Sequence, residues 1–308
     1  RLSFQSSLET FRTLGERQGE GIVLCGLGDV SRVQGDYEQA KISYLAAQRT
    51  YQEMGNRDGT AMAFNNLGVL AETQGLYPEA LEWHQKSLAI KREIGVRQGI
   101  AISLSNLGVV HYSMNEYEVS RQYAEETAAL YKALNDRQGL ADSYNNLGLL
   151  DFYMHDYVKA RERLALALQL CEQIGDQWGV ALAQLNLGKV ARELKANTIA
   201  NWHFSEALAL AKILKLDSVI LQTLIEHAPI LIRAGDYTQA IIHLSHACYN
   251  PKTPGFERLL AQKWLESAQP LVSEANYLEA VAQGQALSLE QITKTFSSQF
   301  APATNLDT

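Results

Sequence analysis

Between Asp58 and Gln74 the apolar residues Ala63, Phe64, Leu67, Leu70 and Ala71 recur at three- and four-residue intervals, the spacing of one face of an α-helix. Gly75-Leu76 interrupts the run. Pro78 then falls in the first turn of a second helix, where its missing N–H is no loss. Leu81, Leu88 and Ile90 give this second helix its own apolar stripe, which ends near Ile94, with Gly95 placed to close it. Asp36-x-x-Gln39 and Asp236-x-x-Gln239 read as capping boxes at equivalent helix starts. The pattern predicts a hairpin of two helices, A and B.

The hairpin recurs every 40 residues: Asn66-Leu67-Gly68, Asn106-Leu107-Gly108, Asn146-Leu147-Gly148 and Asn186-Leu187-Gly188, with Gly26-Leu27-Gly28 as a degenerate first copy. Tyr37, Tyr77, Tyr117, Tyr157, Tyr237 and Tyr277 keep the same register, and Asn197 breaks the series. Three residues on stand Ala40, Ala80, Ser120, Ala160, Ala200, Ala240 and Ala280. A loop phrase closes each unit, as in Gly55-x-Arg57-x-Gly59 and Gly95-x-Arg97-x-Gly99. Small residues such as Gly68 and Ala80 let the two helices approach closely. One hairpin cannot bury its apolar faces alone, so neighbours must stack into a solenoid.

Residues 1–16 read as the last helix of a preceding repeat whose helix A is absent, so more protein is expected before Arg1. Residues 17–249 are expected to form an array of about six hairpins, at roughly 18–54, 58–94, 98–134, 138–174, 178–214 and 217–248. The fifth has Lys195-Ala196-Asn197 in place of Gly-Asp-Tyr. The sixth has Glu226-His227-Ala228-Pro229 in place of Asn-Leu-Gly, and Pro229 is expected to kink its helix or remove a hydrogen bond. Residues 250–296 are expected to be C-terminal capping helices, one from about Phe256 to Gln269 and another from near Glu274; residues 297–308 carry no pattern and are expected to be a disordered tail.

Leu-Gly in helix A, Tyr opening helix B and Ala three residues later resemble the tetratricopeptide repeat, whose usual length is about 34 residues. The 40-residue form, with Asn-Leu-Gly and the Gly-x-Arg-x-Gly loop, is similar to Pins-like spindle adaptors and, more loosely, to kinesin light chains. The resemblance covers about residues 1–250 and implies an all-α, right-handed superhelical solenoid that binds a peptide or protein segment in its concave groove. The turn Asn250-Pro251-Lys252-Thr253-Pro254-Gly255 and the helix after it resemble the ending of bacterial tetratricopeptide regulators of the STAND type. There the repeats sit behind a signal-transduction ATPase module. That resemblance implies the sensor or scaffold region of a larger signalling protein, with upstream domains of the same chain as partners.

In a stacked array the A helices line the concave face. In the second hairpin, Met62, Asn65 or Asn66, Val69 and Thr73 share that face. Asparagine is a poor interior helix residue, so the recurrence of Asn65, Asn66, Asn106, Asn145, Asn146 and Asn186 requires a reason. An amide offers donors and an acceptor, and a row of them can pair with the N–H and C=O groups of an extended peptide. The resemblance to Pins-like adaptors and kinesin light chains implies that role; the alternative is that the amides cap or bridge adjacent repeats. The groove changes character along the array, through Glu72, Tyr112, Phe152 and Arg192 at one register and Val69, Val109, Leu149 and Lys189 at another. Lys189 and Arg192 are one turn apart and are candidates to hold a carboxylate or another anion, the alternative being a solvated face. Arg17, Arg57, Arg97 and Arg137 are placed to bond the last carbonyls of helix B.

The chain of 308 residues is 46% apolar, enough for a continuous core, and its net charge of −7 argues against nucleic acid as the main partner. Cys25, Cys171 and Cys248 lie far apart without metal-type spacing, which fits a reducing, cytoplasmic compartment. No signal peptide and no bilayer-length apolar run is present, so no membrane partner is expected. His243 and His246 stand near Cys248, but satisfied histidines are the simpler reading. There is no glycine-rich phosphate loop, no Gly-x-Ser-x-Gly and no His-Glu-x-x-His. The reading is a non-catalytic binding module with no cofactor; the alternative is a self-association element that holds an upstream ATPase or effector domain inactive.

Overall fold

The structure, a computed structural model, describes residues 2–299, with side chains described for 4–294. Arg1 and residues 300–308, where most of the expected tail falls, lie outside the described residues. The described chain is all-α, with no strand. After α1 (Leu2–Leu14) come six A/B hairpins: α2 (Arg17–Val33) with α3 (Tyr37–Glu53), α4 (Arg57–Thr73) with α5 (Tyr77–Glu93), and α6 (Arg97–Ser113) with α7 (Tyr117–Ala133). The series continues with α8 (Arg137–Tyr153) and α9 (Tyr157–Ile174), α10 (Gln177–Glu193) and α11 (Asn197–Leu214), and α12 (Asp217–Ala234) and α13 (Tyr237–Tyr249). α14 (Gly255–Ala268), a 3₁₀ turn at Gln269–Leu271, α15 (Glu274–Ala286) and α16 (Leu289–Gln299) follow.

Regular helix ends set the period. A residue in the left-handed region closes a helix every 20 residues, from Gly15 through Gly95, Asn115, Asn135 and His155 to Gly175, Lys195, Lys215 and Gly235. At Gly95 the turn is a Schellman motif: the Gly95 N–H donates to Arg92 O at 3.3 Å and the Val96 N–H to Lys91 O at 3.1 Å. The first glycine of the loop phrase is therefore the residue that can take φ of 71° without a Cβ clash. Arg17 and Arg57 open the next helix A and pair with Glu53 and Glu93 of their own hairpins, rather than with the carbonyls that end the preceding helix B.

Asp36 and Asp236 cap α3 and α13 as expected, each accepting the N–H of the residue three on. Their boxes are half-formed, because Gln39 turns to Ser43 and Gln239 to His243. The complete box was not foreseen. Ser288 Oγ accepts from Gln291 N–H at 3.2 Å and Gln291 Oε1 accepts from Ser288 N–H at 2.8 Å. This box starts α16, which runs to Gln299, past residue 297 where the tail was expected to begin. α12 runs through the buried Pro229.

The chain divides between Leu150 and Asp151 into two compact units. In the first, each helix B packs on its own helix A and on the next, from α2 to α7. α2 also touches α4, and α4 touches α6, so the A helices form one wall. In the second, α10 to α13 stack in turn, and one core cluster continues from Leu185 into α14, α15 and α16 as far as Ile292.

One contact recurs inside the hairpins. A Cβ added to Gly28 would lie 2.4 Å from the Tyr44 ring, one on Gly68 would lie 2.5 Å from His84, and one on Gly188 would lie 2.5 Å from Phe204. Helix B thus lays a ring on the Leu-Gly glycine in these repeats, and a Cβ there requires that ring to shift. At repeat two this ring is an imidazole that is fully buried with no hydrogen-bond partner on either nitrogen. Burial pulls the His84 pKa down to about 4.

A depressed histidine is neutral when folded but binds a proton when unfolded, so its share of stability is present above pH ~6.5 and is lost as pH falls toward 4. His84→Phe, which copies Phe204 at the same register, removes this loss. Urea unfolding at pH 8 and pH 5 is expected to show the variant gaining roughly 2 kcal/mol over the parent at the lower pH.

Candidate ligand groove

The A-helix wall of the first unit carries the amide row. Asn65, Asn66, Asn106, Asn145 and Asn146 are half-buried there. The row is internally bonded. Asn106 Nδ2 donates to Asn65 Oδ1 at 2.7 Å, linking residues 41 apart and so joining repeats two and three. Asn66 makes the equivalent link to the Cys25 thiol, whose pKa burial and the nearby Asp29 push up to about 12 against that hydrogen bond. Ser105 and Asn146 stand at the next equivalent pair and line one cavity. Asn65, Asn66 and Asn106 therefore bridge repeats, and as half-buried groups with more donors and lone pairs than these links use, they also keep hydrogen-bonding capacity at the wall.

The wall opens into a cavity of about 190 Å³ between α6, α7 and α8. Its floor is Gly108, Ser120, Ala124, Thr127 and Ser143, all buried. Its rim is the half-buried Val109, Tyr112, Asn146 and Leu149. The cavity has a local cause. Where repeats one, two and five place Tyr44, His84 and Phe204 on the glycine, repeat three has Ala124. A Cβ on Gly108 would meet nothing nearer than Tyr123 Cβ at 3.4 Å. The Tyr123 ring does not turn in to fill the space, because it stacks on His111 with centroids 5.4 Å apart. Gly108 is thus not pressed by helix B as the repeat pattern implies.

The hydroxyls on the floor are already donating: Ser120 to Gly108 O at 2.7 Å, Thr127 to Tyr123 O at 2.8 Å and Ser143 to Gly139 O at 2.7 Å. Sequence reasoning placed Tyr112, Asn146, Val109 and Leu149 along the groove, named Ser120 only as a small residue of helix B, and did not single out Ala124, Thr127 or Ser143. The signal that would have found them is the helix-B register 44, 84, 124, 164, 204 and 244, where Ala124 is the small residue among Tyr, His, Leu, Phe and Leu.

The remaining candidates lie in the second unit and are occupied. Asn186 is only 4% exposed, so it presents no amide to a ligand. Lys189 and Arg192 do hold a carboxylate, but it is the chain's own. Arg192 pairs with Glu226 and Glu193, and Lys189 Nζ lies 3.8 Å from Glu226 Oε1. Burial alone would lower the Arg192 pKa, but the two carboxylates more than offset this and hold it above its ordinary value. Glu226 stands at the register of the asparagines, so the same register carries the acid that, with Glu193, balances the basic pair. Phe152 packs on Tyr157, with ring centroids 5.7 Å apart. His243 is fully buried against Gln239, and His246 bonds Gly284 O at 3.1 Å. Among the described residues no group of three or more His, Cys, Asp or Glu is arranged to hold a metal ion, and no helix is long and apolar enough to cross a membrane.

A family model described as tetratricopeptide repeat matches residues 19–93, 59–133 and 139–213, more than half of the chain. No curated protein matches the sequence significantly. Solved structures with a similar fold include BtubC (BKLC) from P. vanneervenii, 22% identical, with a TM-score of 0.63 over 70% of this chain and 90% of that one. The apo form of the quorum sensor NprR from B. thuringiensis is 14% identical, with a TM-score of 0.66 over 95% of this chain and 81% of that one. A Rap protein complexed with competence and sporulation factor is 13% identical, with a TM-score of 0.62 over 91% and 77%.

Two stability experiments follow from this geometry. Gly188→Ala drives a methyl into Phe204 and should cost about 1–3 kcal/mol. Gly108→Ala makes only ordinary van der Waals contacts and should be neutral or stabilising, by up to ~1 kcal/mol from helix propensity; thermal melts of the two variants compare them directly. Glu226→Ala leaves Arg192 buried without its main partner and should cost about 3–5 kcal/mol in denaturant unfolding, while Glu226→Gln, which keeps a hydrogen-bond acceptor, should cost less.

Proposed function

The chain belongs to the tetratricopeptide repeat family, and from that premise we propose that it is a non-catalytic module that holds an extended peptide or protein segment on the A-helix wall of its first unit. The observation behind the proposal is the contrast along the asparagine row. Asn66, Asn106 and Asn146 stand half-buried on the wall, and Asn146 lines an apolar cavity there, whereas Asn186 is buried and Arg192 is paired with Glu226 and Glu193. An extended segment lying along the first three would find amide groups at the repeat spacing, each able to bond a backbone N–H or C=O whatever the side chains.

The proposed setting is signalling: a sensor or scaffold part of a larger cytoplasmic protein, in which occupancy of the wall is passed to other domains of the same chain. The fold likeness to the quorum sensor NprR and to Rap bound to competence and sporulation factor supports this setting, and three cysteines outside any disulfide suit a reducing compartment.

The test is a selection of displayed random peptides on the whole chain, followed by titration of a selected peptide against the Asn106→Ala, Asn146→Ala double variant. Each lost hydrogen bond is worth roughly 0.5–1.5 kcal/mol, so the pair should weaken binding roughly ten- to a hundredfold, with a modest fall in melting temperature from the severed Asn106–Asn65 link. Unchanged affinity with a lowered melting temperature would assign the asparagines to bridging alone.

A further inference from the structure

The cavity beside Gly108 is a ring-shaped gap in an otherwise filled series. In repeat one the Tyr44 ring crosses its glycine and its hydroxyl reaches Asp29 Oδ1 at 2.6 Å. Asp29 is exposed and stands at the register of Val109. The seat of that ring therefore runs from the glycine to the A-helix wall. In repeat three Ala124 leaves the same seat vacant, and the vacancy reaches the wall at Val109 and Leu149.

We propose that this seat takes one aromatic side chain, phenylalanine or tyrosine, from the bound segment, and so anchors the segment in register on the asparagine row. This rests on the reading of the wall as a peptide groove. Three observations support an aromatic occupant. The chain itself places Tyr44 and Phe204 rings in the equivalent seats, so the shape accepts such rings from helix B. The volume of about 190 Å³ exceeds the apolar cavity of about 150 Å³ that suffices for benzene. The floor hydroxyls spend their protons on backbone carbonyls and can only accept, so a water in the seat is held as a donor alone and more loosely than at a site that offers both donors and acceptors. Tyr112 on the rim offers a further ring for an edge or offset contact.

The experiment uses the whole chain and two probes. Toluene and p-cresol, the free side-chain analogues, are titrated while the methyl signals of Val109, Ala124 and Leu149 are followed by NMR. Saturable shifts are expected in the parent and none in Ala124→Phe, which supplies the ring from helix B as repeat five does. Gly108→Ala, which narrows the floor, serves as a second variant and should weaken the shifts. Absence of saturable shifts in the parent, or equal shifts in both variants, overturns the seat.

With a peptide from the selection above, the expected result is an aromatic residue at one fixed position. Changing that residue to alanine should weaken binding to the parent by about tenfold or more, and to Ala124→Phe hardly at all. A peptide that binds Ala124→Phe as well as the parent, yet loses affinity to the double asparagine variant, overturns the anchor and leaves the groove standing. Analogue shifts in the parent that vanish in Ala124→Phe, with a peptide insensitive to both variants, uphold the seat and remove the groove.

Discussion

Every hairpin depends on how closely its two helices cross. Where a ring of helix B lies on the Leu-Gly glycine, the ring approaches the glycine within a distance that a Cβ there would not tolerate. The glycine is therefore a steric requirement of the partner ring, and the ring is what fills the space the glycine leaves. Helices of similar length and a left-handed closing residue every 20 positions return this register to the same place along the array, and the ring occupies it in repeats one, two and five. Packing density in a protein interior leaves few voids, so a repeat that keeps the glycine and sets only an alanine opposite it leaves a cavity unless a neighbour fills the space. Repeat three leaves one.

The two units finish their A helices differently. In the first, the wall is polar and half-buried, cross-linked by amide bonds such as Asn106 to Asn65. Such links and a ligand's bonds are compatible, since each amide has more donors and lone pairs than one bridge uses. A wall held rigid by its own links also loses less entropy when a segment binds. In the second unit the same register carries the buried Asn186 and then Glu226, whose carboxylate meets Arg192 and Lys189. Buried charge persists only when paired, so this stretch is self-satisfied, and one core cluster continues from it into the C-terminal helices.

Much was legible from the sequence alone. Forty-residue periodicity located all six hairpins, because each helix needs one apolar face and each turn needs a residue tolerant of positive φ. Capping chemistry located α3 and α13, and the same rule applied to Ser288-x-x-Gln291 would have located α16. The asparagines were also identifiable as needing an explanation, since nothing in helix propensity favours them. What required the tertiary structure was the state of each candidate. Whether Lys189 and Arg192 are open depends on Glu226, more than 30 residues away in sequence and brought to them by helix stacking. Whether Asn186 is open depends on its burial, which its motif shares with none of the half-buried copies. The cavity arises from an absence, a small residue opposite a glycine, and becomes space only when neighbouring helices fix the backbone around it. Local pattern determines helices and their repeat; side-chain availability is set by what packs across from each residue, and that is a property of the folded chain.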